Sequence, residues 1–245
     1  FGDVAGAPVV DPTDVSQWNT FFDLPTNGAV FTSVSVTGDE VILFGGGAMT
    51  IRAQAFELDT HLLEIYDEGN VVVEILNSAF ALSVITDATF DSAITVGVAE
   101  AQGAFMASAN LVNISLANAT TFLNYVGSGT FGACTSVVNL SLPSALLLPR
   151  YFMSDATSLE TFNAPLATDL GSSGMKNCTS ATLINIPLCV NLGANPADAT
   201  VFDGCTNPAL VLNIAAVNAT NNAGGVHASI AALLIANPTA TVNYI

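Results

Sequence analysis

Apolar and polar residues alternate along most of the chain in short phrases that return at a steady interval. Phe56, Phe80, Phe105, Phe131, Met153, Met175 and Phe202 each open one phrase, at spacings of 24, 25, 26, 22, 22 and 27 residues. A period in the twenties means that each unit is a single supersecondary turn, too small to bury its own apolar side. Such units must stack to make a core.

Three phrases match in several registers at once. Phe131, Cys134, Thr135, Leu140 and Pro143 correspond to Met153, Ala156, Thr157, Phe162 and Pro165, and then to Met175, Cys178, Thr179, Ile184 and Pro187. Looser copies open at Phe56, Phe105 and Phe202, and the copy at Phe80 is the poorest. In residues 111–116 and their equivalents, apolar residues such as Ile114 and Leu116 flank polar Ser115, the period-2 pattern of a short strand. Each repeat therefore adds one strand to a growing sheet. Pro143, Pro165 and Pro187 end the strands because proline has no donor to continue a ladder. The Phe or Met fills the opposite wall of the coil, and the small residue three positions later fits a tight corner.

The ends depart from this pattern. Residues 1–51 contain Trp18, the Phe21 and Phe22 pair, a turn over 26–28, and alternating stretches over 31–36 and 41–44 that predict strands. This segment is expected to be a β-rich N-terminal cap over an otherwise exposed apolar end. Residues 52–215 hold about seven repeats. Residues 216–245 are expected to form a C-terminal helix-strand cap. There the spacing predicts a helix over 226–236 with Ile230, Leu233 and Leu234 on one face, stopping at Asn237 and Pro238, and then a strand that closes the sheet edge. The chain begins with Phe and shows no leader, so a secretion signal or an upstream domain is expected to be missing from it.

The repeated phrase, with its Phe, small or Cys, Leu, Ile, Leu-Pro order, resembles the BspA-like branch of the leucine-rich repeats of bacterial, protozoal and viral surface proteins. The likeness covers residues 56–214. It implies a mainly β repeat solenoid of leucine-rich-repeat type, right-handed, with a parallel sheet on one face and irregular or short helical returns on the other. An insertion over 193–198 and the weak copy at Phe80 depart from the pattern.

Composition narrows the function classes. Hydrophobic residues make up 51% of the chain and charged residues only 9%, so much of the surface must be Ala, Ser, Thr, Asn and Gly. No run of apolar residues is long enough for a membrane helix. Against 20 acids the chain sets only Arg52, Arg150 and Lys176, a net charge of -17. That field repels phosphate backbones, which excludes nucleic acid as a partner. No cofactor is expected. Calcium is the ion the acids would attract, although no EF-hand loop is present.

Cys134, Cys178 and Cys205 share a position with Ser108 and Ala156, which marks them as small buried corner residues. Cys189 lies outside that column and is the one cysteine free to pair with a neighbour. The two histidines, His61 and His227, are too far apart in the repeat order to cooperate, so no catalytic constellation can be assembled. His227 opens the predicted C-terminal helix, and both histidines are expected in surface or capping roles. The Gly45–Gly47 and 224–225 glycine runs lack phosphate-loop spacing and predict turns.

Candidate binding residues come from the outward rows of the sheet. Tyr66, Ser115, Ser141, Asn163 and Asn185 fall in one column, flanked by Glu64, Asn113, Asn139, Thr161 and Leu183 in another. The sequence thus predicts a non-enzymatic, surface-displayed adhesion module, extracellular on a cell or virion, that attaches a bacterium or a bacterial virus to a host-surface glycan or protein through this face. The alternative is a virion or cell-envelope subunit that assembles with copies of itself through flat uncharged sides.

Overall fold

The computed structural model describes residues 48–60, 62–99, 101–123, 129–194, 198–220 and 226–245, together with the strand backbone of Phe22–Asp23, Phe31–Thr37 and Glu40–Gly45. Trp18, Phe21, the 26–28 turn, His61, residues 195–197 and the glycines at 224–225 lie outside the described residues.

Strand formation follows the repeat. Glu64–Tyr66, Asp87–Thr89 and Asn113–Ser115 pair in parallel, one per coil, and extend an antiparallel hairpin of Phe31–Thr37 with Glu40–Gly45. A second five-stranded sheet continues along the same side through Asn139–Ser141, Thr161–Asn163, Leu183–Ile186, Val211–Ile214 and Thr241–Tyr244, all parallel. Asn113–Ser115 and Asn139–Ser141 are neighbours without ladder bonds, so the face has a seam there. The central residue of each strand points inward: Ile65, Ala88, Leu140, Phe162, Ile184 and Leu212 are buried. Pro143, Pro165 and Pro187 each stand in the turn that follows a strand.

The return path, for which the family resemblance implies irregular or short helical segments, is more ordered than that. It carries a parallel sheet of its own through Met49–Ile51, Val72–Ile75, Thr95–Val96, Thr121–Phe122, Leu147–Leu148, Asp169–Leu170 and Asn191–Leu192, with Phe22–Asp23 joined antiparallel at one end. Most of these strands are two residues long, one residue out and one in. Ile75, Val96, Phe122, Leu148, Leu170 and Leu192 supply the inner layer.

Between the two walls runs the aromatic column. Phe56 stacks on Phe80 at 5.0 Å, Phe80 on Phe105 at 5.0 Å, and Phe105 on Phe131 at 5.3 Å, the rings of each pair nearly parallel. Phe152 then meets Phe131 edge-on at 5.4 Å, and Met153 and Met175 continue the column. Backbone bonds fix this register. The N–H of Phe56, Phe80, Phe105, Phe131, Met153 and Met175 each donates to the carbonyl just before the matching residue of the next coil, at 2.7 to 3.0 Å.

Two residues past the column every coil turns through a left-handed backbone position. Leu58, Leu82, Ala107, Ala133, Asp155 and Asn177 have φ between 57° and 64°, and Gly204 has 76°. That conformation costs a residue with a Cβ about 1–2 kcal/mol. It is offset by another inter-coil bond, because the N–H at this position reaches the next coil at 2.7 to 2.9 Å for all six non-glycine members.

Helix α1, Ala228–Ala236, lies where the spacing predicts it. Ile230 and Leu233 are buried and Leu234 packs against the core. His227 caps the helix, its Nδ1 accepting from the Ser229 N–H at 3.2 Å. Asn237 ends it and bonds back through Nδ2 to the Asn207 carbonyl at 2.6 Å.

All four cysteines are buried free thiols. Cys134, Cys178 and Cys205 donate to the carbonyls of Phe105, Met153 and Met175 in the preceding coils. Cys189 is not an outlier. The return-sheet register puts it in line with Ala93, Ala119, Ala145 and Ala167, a second column of small buried corner residues. Burial pushes the Cys134 thiol up to about 12. Burial, with the Asp169 charge, pushes Cys189 up to about 12 as well.

Candidate recognition face

The outward residues of the face sheets stand in the columns that the alternation predicts. One column runs Glu64, Asp87, Asn113 and then Asn139, Thr161, Leu183, Val211 and Thr241. The other runs Tyr66, Thr89, Ser115 and then Ser141, Asn163, Asn185, Asn213 and Asn243. Asp87, Thr89, Asn213 and Asn243 are members that sequence reading misses. The stretches 211–214 and 241–244 repeat the apolar-Asn-apolar order of 183–186, and that signal could have found the last two.

The two halves of the face differ in chemistry. Beyond the seam, the amides satisfy one another. Asn243 Nδ2 donates to Asn213 Oδ1 at 2.8 Å, Asn213 to Asn185 at 3.0 Å, Asn185 to Asn163 at 2.7 Å, and Asn163 to Ser141 Oγ at 3.3 Å. This one-directional ladder ties five coils together. In the neighbouring column Thr161 Oγ1 donates to Asn139 Oδ1.

Before the seam, carboxylates take the place of amides. The Tyr66 hydroxyl donates to Glu64 Oε2 at 3.1 Å, Asn113 Nδ2 to Asp87 Oδ1 at 2.5 Å, and Ser115 Oγ to Asp91 Oδ1 at 2.5 Å. Here the surface dips into a depression of about 170 Å³ that spans the seam, lined by Tyr66, Asp87, Thr89, Asn113, Ser115 and Asn139 among others. An ionised carboxylate is an acceptor only and can take several donors, so Asp87 and Glu64 retain capacity for hydroxyl or N–H groups brought by a ligand.

Other acids are structural. Asp67, buried, accepts from the N–H groups of Val71 and Val72 at 3.0 and 2.8 Å and from Ser92 Oγ at 2.9 Å. Asp59 accepts from the Leu62 N–H at 2.9 Å. Asp198 ties the inserted loop. Partial burial would raise its pKa, but donors from Ser172, Thr200 and the Ala194 N–H outweigh it and hold the carboxyl well below the usual range. Among the described residues no group of three His, Cys, Asp or Glu side chains could hold a metal ion. No helix among them is long and apolar enough to cross a membrane.

Stacked coils that each add one parallel strand to a regular polar face define a leucine-rich-repeat solenoid. Residues 99–208 match the family model described as BspA type leucine rich repeat region, in six copies, and these repeats are BspA-type leucine-rich repeats. Among solved structures, a leucine-rich repeat protein from Eubacterium ventriosum ATCC 27560 is similar at 15% identity and a TM-score of 0.40; the match covers 69% of this chain and 43% of that one. No curated protein matches the chain.

Proposed function

We propose that the chain is a non-enzymatic recognition module, displayed outside the cell or on a virion, that attaches to a surface glycan or protein. Repeat scaffolds act through surface residues and not through the fold itself. The observation that carries this reading is the depression at the seam. It combines an aromatic ring with acceptors and amides on an otherwise regular, self-satisfied sheet. Contact centres on Tyr66, Asn113, Ser115 and Asn139, with Glu64 and Asp87 beside them. Ser141, Thr161, Asn163 and Asn185 continue the face beside it as a hydrogen-bonded polar platform that stiffens the coils rather than making the contact.

The test is a glycan array, together with binding of fluorescent protein to candidate host cells, compared between the unaltered chain and a Tyr66→Ala, Asn113→Ala double variant. The reading expects saturable binding that the variant loses with its circular dichroism unchanged. Equal binding by both proteins would remove the depression from consideration.

A second reading, self-assembly as an envelope or virion subunit, is favoured by a separate observation. Ile94, Leu146, Leu147, Leu166, Leu188 and Val190 are exposed aliphatics along the corner between face and return sheets. A stable homo-oligomer by light scattering that Leu147→Ser, Leu188→Ser dissociates would support it, and a monomer at high concentration would remove it.

A further inference from the structure

On the edge behind the aromatic column, away from the face sheets, lies a larger pocket of about 260 Å³ lined by residues that include Gly129, Ala133, Tyr151, Asp155 and Lys176. Its floor is bare. A Cβ on Gly129 would stand 1.6 Å from the Tyr151 carbonyl oxygen, so the close approach of two coils admits no side chain there. Ala107 and Ala133 stand at the left-handed turn positions, and Met106 adds an apolar wall.

The polar lining is asymmetric. Lys176 is one of only three cations in a chain of net charge -17. Half-buried, its ammonium makes no ion pair or hydrogen bond with any described residue. The Tyr151 hydroxyl is likewise without a partner among the described residues. Asp155, whose N–H donates to the Lys176 carbonyl at 2.8 Å, is exposed, and its oxygens accept from Ser154 Oγ at 2.8 Å and Asn177 Nδ2 at 2.7 Å.

We propose that this pocket binds a single carboxylate-bearing sugar, with Lys176 paired to the carboxylate, Asp155 accepting from ring hydroxyls, Tyr151 donating, and the Gly-Ala-Met floor meeting the apolar face of the ring. One ammonium matches one carboxylate. A free phosphate dianion would bring twice the charge into a strongly acidic field and would leave the floor and Asp155 unused. The volume is below the range of drug-sized sites and suits one sugar ring. This site is independent of the sheet-face reading, since none of its residues lies on the face strands.

The experiment is ligand-observed NMR titration of the full chain with glucuronate, N-acetylneuraminate, glucose and inorganic phosphate as probes. At least one acidic sugar is expected to bind with a dissociation constant on the order of 1 mM, more weakly at high salt. Lys176→Met keeps the aliphatic stem and should weaken that binding by about tenfold or more. Tyr151→Phe should weaken it less. Tyr66→Ala, Asn113→Ala should leave it unchanged, which separates failure here from failure of the face. Melting temperatures confirm that each variant is folded. No saturable binding of either acidic sugar, equal binding of glucose or of phosphate, or full retention of binding in Lys176→Met would each overturn the proposal.

Discussion

Phe105 sits at the middle of the stacked column, fully buried, with Phe80 at 5.0 Å on one side and Phe131 at 5.3 Å on the other. Phe105→Ala removes a buried ring from a close-packed array, a change that costs about 3–5 kcal/mol in proteins generally. It also breaks two aromatic pairs, each contributing about 0.5–1.5 kcal/mol beyond burial, so the upper half of that range is expected, about 4–5 kcal/mol. Phe105→Met is the informative comparison. Methionine occupies the same column position at Met153 and Met175. It keeps most of the buried volume and loses only the stacking of two pairs, about 1–3 kcal/mol together. Urea unfolding followed by far-UV circular dichroism measures both. Each coil of a solenoid touches only its neighbours, so the alanine variant should also broaden the transition as the two halves uncouple. A cost below about 1 kcal/mol for Phe105→Ala, or equal costs for Ala and Met, would refute the column as the element that couples the coils.

Three further outcomes are expected. Asn185 donates to Asn163 and accepts from Asn213, whereas Asn243 makes one ladder bond. Asn185→Ala should therefore cost about 1–2 kcal/mol in urea unfolding and Asn243→Ala about half as much, and equal costs would contradict a hydrogen-bonded ladder. The four thiols are buried and unpaired, with Cys134 and Cys189 pushed up to about 12 mainly by burial. A disulfide reagent at pH 8 should react with the native protein negligibly and with all 4 cysteines after denaturation; prompt reaction of the native chain would contradict the packing. Asp198 has a folded pKa depressed by its donors. Its contribution is thus fully present above the ordinary Asp value of about 4 and is lost as pH falls from there toward the folded pKa. The stability difference between the unaltered chain and Asp198→Asn should shrink between about pH 5 and pH 2, and a constant difference would show that the charge is not what holds the loop.

Much of the architecture is legible because the repeat places one large residue, one small residue and one strand at fixed offsets. The column from Phe56 to Phe202, the face strands of the well-matched repeats, the two strands within 31–45 and helix α1 follow from spacing and alternation. The return sheet is not legible. A strand of two residues, such as Asp169–Leu170, shows no alternation for a period to reveal. Nor do the left-handed turns announce themselves, since Leu58 and Leu82 carry none of the glycine signal that the conformation normally leaves. Cys189 looks isolated in sequence because its column of alanines is defined by the return-sheet register. At the face, the polar columns are visible as alternation. That Asn163 and Asn185 bond to each other while Tyr66 and Asn113 border a depression depends on packing across coils. The poor copy at Phe80 hides Asp87 and Thr89 for the same reason: they are recognisable only by the strands on either side.

The central claim is that recognition occurs at the seam of the face and not along the asparagine ladder. Side-by-side cell-binding isotherms for Tyr66→Ala, Asn113→Ala and for Asn163→Ala, Asn185→Ala, each paired with a melting curve, test it directly. The first pair should lose binding by about tenfold or more with little change in melting. The second should lower the melting temperature and retain binding. The reverse assignment, binding lost with the ladder and kept without Tyr66 and Asn113, would contradict the account.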